Sequence, residues 1–121
     1  MASGDIAGAP LAEAMNRLWA KYLPQMEERV ATLKNAAARL AGGNSLTEAE
    51  QSHASEDAHK LAGVLGTFGL KDGTELAREA EQLYGGALDG DLAVAERLSM
   101  IAAKLKAMVA GREQGQGAIR E

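Results

Sequence analysis

The stretch Ala58-His59-Lys60-Leu61-Ala62-Gly63-Val64-Leu65-Gly66-Thr67-Phe68-Gly69-Leu70 decides the fold. At roughly 100° per residue, Ala58, Leu61, Leu65 and Phe68 form one apolar stripe, the signature of an amphipathic helix. His59 falls on the opposite side, so its imidazole is expected to point to water. Within about 60° of it on a helical wheel lie Ser52, Ser55, Glu56, Ala62, Gly63 and Gly66, nearly all of them small. Two glycines inside a helix each cost roughly 1 kcal/mol relative to alanine. A purely structural helix has little reason to accept both beside an exposed histidine, whereas a surface approached closely by another molecule does.

Working outward, Thr47-Glu48-Ala49-Glu50 matches a capping box and predicts that this helix starts there, with Gly69 ending it after Phe68. Asp72 with Glu75 repeats the pattern and opens the next helix, which turns Leu76, Ala80 and Leu83 inward and stops at Gly85-Gly86. A last helix opens at Asp89 or Asp91, carries Leu92, Ala95, Leu98, Ala102, Leu105 and Val109, and is closed by Gly111. Upstream, Pro10 suits a first helical position and is followed by Leu11, Met15, Leu18, Trp19 and Tyr22 at helical spacing. Pro24 is expected to break or kink that segment. A second segment then covers residues 25–41, with Met26, Val30, Leu33, Ala37 and Leu40 as its core stripe and Gly42-Gly43 as its stop. Short links imply antiparallel neighbours. The expected architecture is all-α: an up-and-down antiparallel four-helix bundle with an additional short N-terminal helix. It would occupy residues 10–110, between a flexible start (1–9) and a flexible tail (111–121).

Composition narrows the function. With 121 residues the chain fits one domain, and an aromatic content of 3 % within 46 % hydrophobic residues favours closely packed helices over a sheet. A net charge of −4, with no basic cluster, argues against nucleic-acid binding. There is no cysteine, hence no thiolate nucleophile and no zinc-thiolate site. The amino terminus lacks a secretory pattern and no run reaches the roughly 20 apolar residues of a membrane span, so a soluble, cytoplasmic protein without membrane partners is expected. Glycine-rich nucleotide loops of the GxxxxGK[ST] or GxGxxG type are missing as well, which speaks against an ATP-dependent kinase.

The run from Ala58 to Leu70, followed by Leu76, Ala77, Ala80 and Glu81-Gln82-Leu83, resembles the histidine phosphotransfer (HPt) domain family. That family carries a phosphoryl group on a histidine in a pattern close to His-x-Leu-Lys-Gly with a small residue one turn further on. His59, Leu61, Gly63 and Gly66 occupy those places. The resemblance implies that His59 accepts phosphate from a receiver-domain aspartate and passes it on in a two-component phosphorelay. Gly63 and Gly66 would keep the docking surface low, and Ser55, Glu56, Ala62 and Val64 would complete it. The chain departs from the pattern at Ala62, where the family often has lysine, and Lys60, about 100° round the helix, is the candidate to supply that charge. The receiver would bring the metal ion and a lysine of its own. The protein would then be a phosphoryl carrier without kinase activity, a monomer that partners receiver domains of response regulators or hybrid kinases and requires no cofactor.

Other readings use the same residues. A non-catalytic HPt-like bundle would bind a receiver without transferring phosphate. A homodimeric structural bundle would bury the His59 face between subunits. Glu50-Gln51-Ser52-His53 and Glu56-Asp57-Ala58-His59 are both Glu-x-x-His, as in di-iron bundles. Both copies fall on one helix and no third histidine exists, so no metal site is expected. His53 reads as a solvated first-turn residue, Arg29 as the partner of a neighbouring glutamate, and Lys104 and Lys106 as complements to the end of the last helix dipole.

Overall fold

The computed structural model describes the backbone of residues 2–88 and 90–118 and the side chains of residues 10–88 and 90–111. Among the described residues there are four helices and no strand: α1 (Ala2–Ala41), α2 (Glu48–Thr67), α3 (Lys71–Tyr84) and α4 (Leu92–Ala118). Successive helices pack together, α4 returns against α1, and the backbones of the diagonal pairs stay apart. This is the expected all-α up-and-down bundle.

Its start needs a correction. The short N-terminal helix is not a separate element, because α1 runs unbroken through Pro10 and Pro24. Proline removes one backbone N–H and frees the carbonyl four residues earlier. Pro24 and Ala20 both lie on the exposed side, where water can satisfy that carbonyl, and buried Trp19 and Met26 hold the turns on either side. At the far end α4 passes Gly111, so a single glycine, at roughly 1 kcal/mol, does not close it. Lys104 and Lys106 consequently sit inside α4 and not at its end. Met1, Asp89 and residues 119–121 lie outside the described residues.

The links are set by local chemistry. At α2 the capping box forms as expected: Glu50 N–H donates to Thr47 Oγ1 at 3.0 Å, and Thr47 N–H donates to Glu50 Oε1 at 2.8 Å. Arg39 Nη1 donates to the other Glu50 oxygen at 2.6 Å. The Thr47 backbone bond and then Arg39 hold the Glu50 carboxyl below its ordinary range. The capping box expected at Asp72 and Glu75 does not form. Gly69 turns the chain at φ +72°, and α3 starts at Lys71 on the carbonyl of Leu70, which accepts from Thr74 N–H at 2.9 Å. Asp72 therefore falls inside the first turn, where its charge suits the helix dipole. Asp91 caps α4, its Oδ1 accepting from Ala93 N–H at 3.0 Å and Val94 N–H at 3.4 Å.

The core follows the stripes. Met26, Val30, Leu33 and Ala37 of α1, Ala58, Leu61 and Leu65 of α2, Ala80 of α3 and Ala95, Leu98, Ala102, Leu105 and Val109 of α4 are buried. Full burial of each large aliphatic side chain contributes about 1.5–3 kcal/mol. Leu11 and Leu92, at the outer ends of their stripes, are exposed. Trp19 meets Phe68 edge to face with ring centroids 5.0 Å apart, which closes the end of α2 over α1. Arg29 pairs across helices with the buried carboxylate of Asp57 at 4.0 Å, and not with a neighbouring glutamate. His53 is solvated as expected, with Nε2 3.3 Å from the other Asp57 oxygen.

Tyr84 reaches across the bundle. Its hydroxyl donates to the Leu33 carbonyl at 3.3 Å, and burial pushes the phenol up to about 12. Because the folded value exceeds the unfolded one, the stabilisation is whole below about pH 10 and is lost as pH rises toward 12. Tyr84→Phe is expected to lose about 1 kcal/mol at neutral pH, one buried hydrogen bond. Its deficit against the parent chain should close near pH ~11 and reverse above it. Urea unfolding of both chains across that range checks this, and a deficit constant with pH would contradict it.

Candidate functional site

The site is built by the pairing of α2 with α3. Gln51 Nε2 donates to the carbonyls of Tyr84 and Gly86, both at 2.7 Å. One turn on, Ser55 Oγ donates to the Glu81 carbonyl at 3.1 Å. Tyr84 ends α3, Gly86 lies just beyond it, and the Glu81 carbonyl also accepts from Gly85 N–H at 3.0 Å, so two polar side chains of α2 grip the end of α3 and fix where it sits. A further turn on, His59 Nδ1 lies 2.9 Å from Glu81 Oε2. A carboxylate only accepts hydrogen bonds. The neutral imidazole therefore carries its proton on Nδ1, donates it to Glu81, and keeps the Nε2 lone pair free. With 72 % of its side chain accessible, His59 offers that nitrogen to solvent.

The residues singled out from the sequence divide into three groups. Gly63 and Gly66 are exposed beside His59. A Cβ on Gly63 would meet no atom within 4 Å, and one on Gly66 only Thr74, at ordinary contact distance. Nothing inside the molecule demands glycine at either position. Ser55 and Val64 are half-buried, the first bonded to α3 and the second packed on the core. Ala62 departs from expectation. Only 5 % exposed, it belongs to the core and floors the cleft between α2 and α3 that His59 borders. Glu56 and Lys60 are exposed, 4.0 Å from each other, and neither lines that cleft.

Glu81 was not a candidate on sequence grounds, because helical periodicity gives each helix its inward face but not its register against a neighbour. One signal could have found it. Counting outward in both directions from the turn at Gly69 and Leu70 brings residues near 81 opposite residues near 59. The two Glu-x-x-His copies do not converge. His53 turns to Asp57 and His59 to Glu81, and among the described residues no three ligating side chains are placed to hold a metal ion.

The exposed imidazole, bonded to Glu81 through Nδ1, stands on a four-helix bundle beside small residues. The family model described as the Hpt domain matches residues 17–115, and the chain belongs to that family. Its role is accordingly of the phosphotransfer type, in two-component signalling. It is also similar to Protein RcaC of Microchaete diplosiphon, at 38 % identity over 72 residues, which is 60 % of this chain and 11 % of that protein. The chain thus spans about a tenth of the length of that relative. No solved structure matches it. No described helix is long and apolar enough to cross a membrane.

The open space over Gly63 gives a direct test. Gly63→Ala is expected to raise the unfolding free energy by about 0.5–1 kcal/mol, since the methyl relieves backbone entropy and touches nothing. Chemical denaturation measures it, and an unchanged or lower stability would reveal an internal demand for glycine.

Proposed function

We propose that the bundle over residues 10–110 is a monomeric phosphoryl carrier that accepts phosphate on His59 from a receiver-domain aspartate and returns it to another. The observation that carries this reading is the 2.9 Å contact of His59 Nδ1 with Glu81, which in the neutral ring puts the lone pair on Nε2 of an accessible side chain. A neutral imidazole is a nucleophile through its unprotonated nitrogen.

In the transfer, the Nε2 lone pair attacks phosphorus of the partner's aspartyl phosphate. A P–N bond forms as the P–O bond to the carboxylate breaks, and the electron pair departs with the aspartate. The ring carries positive charge while Nδ1 keeps its proton, and Glu81 stabilises that charge through the hydrogen bond it already accepts. Return to a second aspartate reverses each event. Positioning and electrostatics dominate such a step because the transferring group spreads its charge over three oxygens. Gly63 and Gly66 keep the surface low beside the ring, Ser55 holds Glu81 in place, and exposed Glu56 and half-buried Val64 border the docking face. The net charge of −4 suits a protein partner better than a nucleic acid.

His59→Gln is expected to abolish acid-labile phosphorylation from a phosphorylated receiver while leaving helicity intact. Label retained in that variant would overturn the assignment. Glu81→Gln should slow transfer by about tenfold, as loss of a charge-assisted bond implies, with His59 still labelled at long times. Unaltered kinetics there would remove Glu81 from the mechanism.

A further inference from the structure

The cleft beside His59 holds a second charged group that the sequence pattern did not single out. Four placements fix the register of α2 on α3. Ser55 Oγ bonds the Glu81 carbonyl, and a Cβ built on Gly85 would lie 3.8 Å from the same hydroxyl. His59 meets Glu81, and a Cβ on Gly66 would lie 3.6 Å from Thr74 Oγ1. Gly85, Glu81 and Thr74 thus face Ser55, His59 and Gly66 in turn, each step forward on one helix being a step back on the other. Three residues on from His59 is Ala62, and three back from Glu81 is Arg78. Both line the cleft with the imidazole.

Position 62 is where the resembling family often places lysine, and alanine leaves it without charge. Arg78 stands opposite. It is exposed, and among the described residues no carboxylate pairs with its guanidinium. Lys60 lies against Glu56 outside the cleft. Alanine at 62 and glycine at 63 leave the intervening floor low enough for a long side chain to reach across.

Resting on the His59 reading, we infer that Arg78, and not Lys60, supplies the positive charge that holds the phosphoryl oxygens on His59. As Nε2 forms its bond to phosphorus and the P–O bond to the donor carboxylate breaks, the guanidinium donates hydrogen bonds to the equatorial oxygens. No proton leaves it. Its planar fork matches two such oxygens at once.

The test compares the full chain with Arg78→Gln, Arg78→Lys, Lys60→Gln and the double change Arg78→Gln with Ala62→Lys. Each is incubated with one phosphorylated receiver domain, and each is also titrated with the same receiver unphosphorylated. Arg78→Gln should slow labelling of His59 by roughly tenfold or more, with the endpoint preserved and the affinity for unphosphorylated receiver within about twofold. Arg78→Lys should recover much of the rate, as should the lysine moved to position 62, while Lys60→Gln stays within about twofold of the parent. Wild-type kinetics in Arg78→Gln would overturn the inference and leave His59 as the carrier. Equal loss of rate and affinity would overturn it too, making Arg78 a docking residue. A parent chain that takes no label at His59 would instead sink the reading beneath it.

Discussion

Everything at the site depends on the hydrogen bonds by which α2 satisfies the end of α3. A helix leaves its last carbonyls without partners, and Gln51 and Ser55, one turn apart on α2, donate to three carbonyls at and just beyond that end. Apolar packing alone would hold the two helices together in more than one register, since alanines and leucines interlock at each turn. A polar contact has one good geometry. Slipping α3 by a turn would carry Glu81 about 5.4 Å along the axis, out of reach of the imidazole. The tautomer of His59 is thus set by bonds made one and two turns away.

The glycines show where helix stability has been given up. Gly73 has an internal reason: a Cβ there would come within 2.6 Å of Met108 Sδ and 3.1 Å of Leu65 Cδ1, so it lets α3 approach α2 and α4 closely. Gly63 has none, because the space above it is empty. Both sit in helices and both carry the same backbone penalty. The difference lies in what the missing side chain leaves, room for the neighbouring helices at Gly73 and open space at Gly63.

Much of this was legible in the chain. The stripe of Ala58, Leu61 and Leu65 and the Thr47–Glu50 capping box sufficed for α2 and for the exposure of His59, since both rest on interactions within one helix. Pro24 misled because the penalty of a proline depends on whether the freed carbonyl faces water, and that depends on neighbours. Asp72 misled because the start of α3 is set by Leu70 and the turn at Gly69 before any side-chain cap can act. Glu81 and the burial of Ala62 were hidden for one shared reason: they follow from the register between two helices, which no single-helix period encodes.

That register also explains why charge at this site can come from either helix of the α2–α3 pair. A cation three residues after the histidine and one three residues before its carboxylate partner face the same point in space. With Arg78 on α3, the floor of the cleft on α2 is an alanine that packs into the core. Glu81 and Arg78 then stand one turn apart on α3 with opposite signs and yet do not pair. The carboxylate is committed to the imidazole by the bonds that fix its backbone. Among the described residues the guanidinium has no carboxylate partner, and a positive charge so placed beside the imidazole is what an incoming phosphoryl group, carrying its negative charge on three oxygens, can use.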